Sequence, residues 1–88
     1  MRITREMLAE RISAHLRGER SLADLVSWAE DAMRERDFAE SDFIAIRDVV
    51  AQLGLADVAA FGLTWEDAAG MLARLGYRAT VEIQPVRP

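Results

Sequence analysis

The sequence predicts a mainly α domain, a small helical bundle of four principal helices with a short helical turn, followed by one C-terminal β-strand. Three observations lead there. Apolar residues recur at three- and four-residue spacing in four stretches. Most of those stretches open on Ser, Thr or Asp and close on glycine. After Gly76 the period drops to two. With 88 residues, 51% of them hydrophobic and 30% charged, the chain has the composition of one folded domain rather than of a disordered tail. We place that domain at residues 1–84, with 85–88 as a short tail.

The first helix is expected from Arg5 to Arg17. Thr4 is its N-cap, because the hydroxyl can accept from an orphan backbone N–H. Ile3 and Leu8 stand where a hydrophobic staple closes. Leu8, Ile12 and Leu16 form its buried stripe, and Gly18 ends it. The second helix starts after Ser21, with Asp24 as an acidic near-match to a capping box. Leu22, Leu25, Val26, Ala29, Ala32 and Met33 share its apolar face, Trp28 lies on the flank, and Glu30, Asp31, Arg34 and Glu35 face water.

Asp37 followed by Glu40 signals a third helix opening near Ser41. Its stripe is Phe43, Ile46, Val50 and Leu53, widened by Ile44 and Val49, and Gly54 closes it. Leu55–Phe61 reads as the short helical turn. Thr64 and Asp67 then bracket the last start, with Trp65, Ala68, Ala69, Leu72 and Leu75 on one face and Gly76 at the end. The core is expected around Leu8, Ile12, Leu25, Ala29, Phe43, Ile46, Val50, Leu72 and Leu75.

Beyond Gly76, Tyr77, Ala79, Val81 and Ile83 alternate with Arg78, Thr80 and Glu82, the pattern of a half-buried strand that Pro85 terminates. A single strand leaves its backbone groups unpaired. Its partner would be Met1–Ile3, the same strand of a second copy, or another protein.

The residue inventory excludes much chemistry. The chain has no cysteine and one histidine, so it has neither a disulfide framework, nor a thiol nucleophile, nor the ligands of a zinc site. His15 lacks a nearby nucleophile and an orienting carboxylate, and it reads as structural. Glu30, Asp31 and Glu35 lack the spacing and the mid-loop glycine of a calcium loop. The glycines are isolated and form no phosphate-binding loop. We therefore expect no catalytic residue, no metal, no cofactor and no enzymatic activity.

Charge is more informative. The net charge is −4, which lowers the expectation of nucleic-acid binding. Its distribution is uneven. Residues 1–20 carry a balance of +2, residues 21–70 a balance of −8 from eleven acids against three arginines, and residues 71–88 again +2. All eleven cations are arginine, which reads as coding bias. An acidic surface on the middle helices would dock a basic protein and speed its capture. Asp24, Trp28, Glu30, Asp31 and Glu35 are its candidate residues, with Trp28 as the aromatic anchor. Tyr77, Ala79, Val81 and Ile83 are the candidates for pairing in a homodimer, the basis of an alternative reading as a self-associating structural or regulatory protein. No apolar run reaches the length of a membrane span, and the amino terminus has no signal-peptide core, so a cytoplasmic setting without membrane contact is expected.

The stretch Leu16–Glu30, LRGERSLADLVSWAE, resembles a group of small bacterial immunity-type proteins that neutralise bacteriocin or contact-dependent toxins. Gly18, Glu19, Ser21, Leu25, Trp28 and Ala29 carry the similarity, as a glycine turn followed by a Ser-capped helix with a Trp-Ala pair. The resemblance implies an inhibitor that covers the active site of a basic toxin by contact alone.

Overall fold

The computed structural model describes residues 2–58 and 62–86. Among these, the chain forms four α-helices: α1 (Arg5–Leu16), α2 (Leu22–Glu35), α3 (Phe43–Gly54) and α4 (Trp65–Arg74). A 3-10 turn at Ala56–Val58 follows α3. The expected helical turn therefore begins as anticipated, and its last three residues lie outside the described ones. No described helix is long and apolar enough to cross a membrane.

Local caps set most helix starts. The Met7 N–H donates to Thr4 Oγ1 at 3.2 Å and the Asp24 N–H to Ser21 Oγ at 3.1 Å. At α4 the box is reciprocal, with Asp67 N–H donating to Thr64 Oγ1 and Thr64 N–H to Asp67 Oδ2. Each such bond satisfies a donor that the helix cannot satisfy itself.

The start of α3 differs from the expectation. It opens at Phe43, not near Ser41, and its N-cap Asp42 sits in the left-handed region at φ 63° with no side-chain capping bond. Neither Asp37 nor Glu40 caps it. The cause lies outside the segment. Ile3 N–H donates to Asp37 O at 2.7 Å, and Ala39 N–H donates to Ile3 O at 2.9 Å. This parallel bridge between Ile3 and Phe38 holds 37–39 extended and delays the helix.

Ile46, Val49, Val50 and Leu53 of α3 are wholly buried, and α2 packs against this face more extensively than any other helix pair meets. Leu8 and Ile12 of α1, Leu25 and Ala29 of α2, and Ala68 and Leu72 of α4 complete the centre, with Leu75 beside them. Phe43, expected inside, is 40% exposed. It stands on the first turn of α3, and Phe38 fills the core position instead, meeting the Phe43 ring edge-on at 5.8 Å. Ile44 and Leu16 are exposed as well, Leu16 because it is the last residue of its helix.

The expected C-terminal strand is not formed. Residues 77–86 have no regular secondary structure, and beyond the Tyr77 N–H, which donates to Leu72 O at 2.8 Å, the described backbone of this segment makes no hydrogen bond within the chain. A strand needs a neighbour. Of the intramolecular neighbour Met1–Ile3, Ile3 is already bonded to residues 37 and 39, and Met1 lies outside the described residues. The alternation survives only at the root of the segment. Tyr77 and Ala79 pack on the core while Arg78 and Thr80 face out, and from Val81 onward every described residue is exposed.

Candidate functional site

Two surfaces carry groups that the fold does not use. The first is the outer side of α2. Asp24, Trp28, Asp31 and Glu35 are spaced by four, three and four residues and fall on one side of the helix. Glu30 lies about 120° round the helix from Asp24 and about 140° from Glu35, at 3.6 residues per turn. Its Cγ is 3.9 Å from the position a Cβ on Gly54 would occupy, so it borders α3.

The carboxylates differ in their partners. Asp31 is ion-paired with Arg34 one turn on. Asp24, Glu30 and Glu35 are exposed and, among the described residues, make no ion pair. Asp24 lends its backbone N–H to the Ser21 cap while its carboxylate stays in water. Elsewhere arginines pair with three acids of the middle segment: Arg2 reaches Asp37 at 3.5 Å, Arg5 reaches Asp42 at 4.0 Å, and Arg47 and Arg74 both reach Asp48. Hydrogen bonds from Arg47 and Arg74 hold the Asp48 carboxyl below the usual range. Likewise, the bond from Arg17 lowers Glu19. Among the described residues, the acids of the middle segment without an arginine partner are thus Asp24, Glu30 and Glu35 on α2, together with Glu40, Asp57, Glu66 and Asp67 elsewhere.

Trp28 is not a free ring. It is half-buried against the core, and the Arg11 guanidinium lies 5.2 Å from its centroid. The tryptophan with the larger exposure is Trp65, at 43%, although its helical spacing placed it in the last apolar stripe. It occupies the first position of α4.

Trp65 belongs to the second surface, an open groove of about 600 Å³ between α1, α4 and the C-terminal segment. Leu16, Leu72, Tyr77, Ala79 and Val81 supply its apolar lining, and Glu6, Glu10, Ser13 and Arg17 run along its α1 wall. Arg17 is tied to Glu10 at 3.0 Å and to Glu19 at 2.7 Å. Of the four strand candidates, Tyr77 and Ala79 form a wall of the groove, Val81 stands at its rim 65% exposed, and Ile83 projects into solvent at 90% exposure. The root of this segment is pinned by Arg5, which donates to Leu75 O at 3.3 Å and lies 5.5 Å from the Tyr77 ring centroid.

The groove escapes sequence reading because three separated segments build it. Its one legible signal is Val81 and Ile83, apolar residues in a period-two run with nothing assigned to cover them.

His15 has a structural job. Its Nδ1 donates to Arg20 O at 3.0 Å, which closes the turn after α1 and fixes the proton on that nitrogen. Among the described residues no group of three or more His, Cys, Asp or Glu side chains is gathered as a metal site would require.

Comparison with known proteins finds no matching family model, no matching curated protein and no matching solved structure.

Proposed function

We propose that this chain is a non-catalytic protein-binding module that captures a basic partner on the outer face of α2. The observation that carries the reading is that Asp24 and Glu35 share one side of α2, with Glu30 on its flank beside α3, and that none of the three has an ion pair among the described residues. A carboxylate already matched by arginine adds little to a distant field, whereas unmatched ones on a common scaffold attract cations and orient their approach. The immunity-type resemblance of Leu16–Glu30 suggests the class of partner. A toxin that acts on nucleic acid presents cationic side chains to phosphate, and a helix bearing carboxylates competes for them.

Capture from the native cell tests the partner's chemistry. A basic protein among the retained partners is the expected outcome, and recovery of neutral or acidic proteins alone overturns the reading. The variant Asp24→Asn/Glu30→Gln/Glu35→Gln then tests the surface. Its association rate with that basic partner falls about tenfold at low salt and loses most of its salt dependence, while dissociation changes less. Asp31 is left in place because Arg34 already neutralises it. An unchanged association rate removes the α2 face from the interface.

A further inference from the structure

We infer that the C-terminal segment is a self-complementary edge, and that its occupant is the same segment of a second copy, paired antiparallel about a two-fold axis through Thr80. The inference uses a different surface from the acidic face of α2 and does not depend on it.

The segment reads Tyr-Arg-Ala-Thr-Val-Glu-Ile from 77 to 83. Antiparallel pairing centred on Thr80 sets Arg78 opposite Glu82 of the second copy, and Glu82 opposite its Arg78. It also sets Tyr77 opposite Ile83 and Ala79 opposite Val81. Opposite charges and apolar pairs directly across an antiparallel ladder are the stabilising combinations. The register is specific. A slip of one residue in both copies, in either direction, keeps the apolar face but separates both ion pairs: Arg78 then meets Thr80 or Gln84, and Glu82 meets Gly76 or Thr80.

The structure supplies what such a pair needs. Arg78 and Glu82 are exposed and, among the described residues, have no ion-pair partner within the chain. Among the described residues, the backbone from 78 to 86 makes no hydrogen bond, which leaves its donors and acceptors for a neighbour. Gly76, at φ 93°, and Pro85, which has no N–H, bound the ladder at its two ends. Residues directly opposite share a face of the ribbon. Tyr77 and Ala79 turn to their own core, so the second copy's Ile83 and Val81 turn to that core too, beside the groove that Leu16 and Trp65 leave open. A lone two-stranded ribbon is marginal in water. Here the root of each segment, Tyr77 and Ala79, packs on the helical core, which supplies part of the missing hydrophobic face.

Sedimentation equilibrium on the full chain tests the inference. The wild type is expected to dimerise. Arg78→Glu or Glu82→Arg alone raises the dissociation constant about tenfold or more, since each turns two attractive pairs into repulsive ones. The double exchange, Arg78→Glu with Glu82→Arg, restores it, and an equimolar mixture of the two single variants forms a heterodimer. Neither side chain has an ion-pair partner among the described residues, so circular dichroism of each variant matches the wild type at concentrations where both are monomeric. A wild type that stays monomeric up to about 1 mM overturns the inference, as do single reversals without effect or a double exchange that fails to restore pairing. The Asp24/Glu30/Glu35 variant leaves the dimer unchanged, which separates failure here from failure of the α2 interface.

Discussion

Helix α3 and the segment 77–86 are both rich in apolar side chains, and they meet opposite fates. In α3, Ile46, Val49, Val50 and Leu53 are wholly buried, and the helix bonds its own backbone. In the segment, only Tyr77 and Ala79 reach the core, Val81, Ile83 and Val86 stand in water, and the backbone past Tyr77 makes no hydrogen bond among the described residues. The difference comes from where each element finds its hydrogen bonds. A helix needs only a face to bury, while an extended chain needs a face and a neighbour. An apolar pattern of period two therefore announces a contact without containing it.

The contrast is open to measurement. Leu53→Ala removes a wholly buried side chain and is expected to lower the free energy of unfolding by about 2–5 kcal/mol. Ile83→Ser, at low protein concentration, changes it by less than about 0.5 kcal/mol. Urea denaturation of both variants checks the pair, and equal losses would erase the distinction between the two regions. Gly76→Ala acts at the boundary. The residue sits at φ 93°, and an added Cβ would lie 2.7 Å from Arg5 Nη1. The substitution is expected to lower stability by about 1–2 kcal/mol and to loosen the Arg5 contact with Tyr77, read as a change in tyrosine fluorescence. A neutral result would show that the root of the segment is not fixed by this turn.

The smallest effect concerns the tie between α3 and α4. Asp48 has its pKa lowered, first by the bonds from Arg47 and then by the bond from Arg74. A lowered folded-state pKa means that the stabilisation is present above the ordinary carboxylate range and is lost as pH falls through the folded value. Asp48→Asn should therefore be slightly less stable near neutrality and should lose less on acidification. Thermal unfolding between neutral and acidic pH checks this, and a variant as acid-sensitive as the wild type would place the pH dependence elsewhere.

Much of the fold was legible because its determinants are local. Thr4, Ser21 and Thr64 cap as their side chains dictate, and the stripe through Ile46, Val50 and Leu53 is buried as its spacing requires. The misplaced features all depend on distant partners. The start of α3 is set by Ile3, the Phe43 position is taken over by Phe38, and Leu16 and Trp65, at the last and first positions of their helices, are exposed. Helical period identifies an apolar face but not how far along it the cover extends. The candidate site divides in the same way. That Asp24 and Glu35 would face water followed from the helix alone, whereas the capping of Trp28 by Arg11 and the pairing of Asp48 with Arg74 join elements far apart in the chain.

Arg36 and Asp42, at φ 54° and 63°, bracket the stretch that bridges to Ile3. Side chains with branched Cβ atoms resist that region, while glycine and asparagine enter it readily. Stereochemistry thus leaves a fingerprint in this loop that surface drift cannot erase. Glycine or asparagine at either position would relax the conformation that Arg36 and Asp42 hold, and a β-branched residue would strain it further.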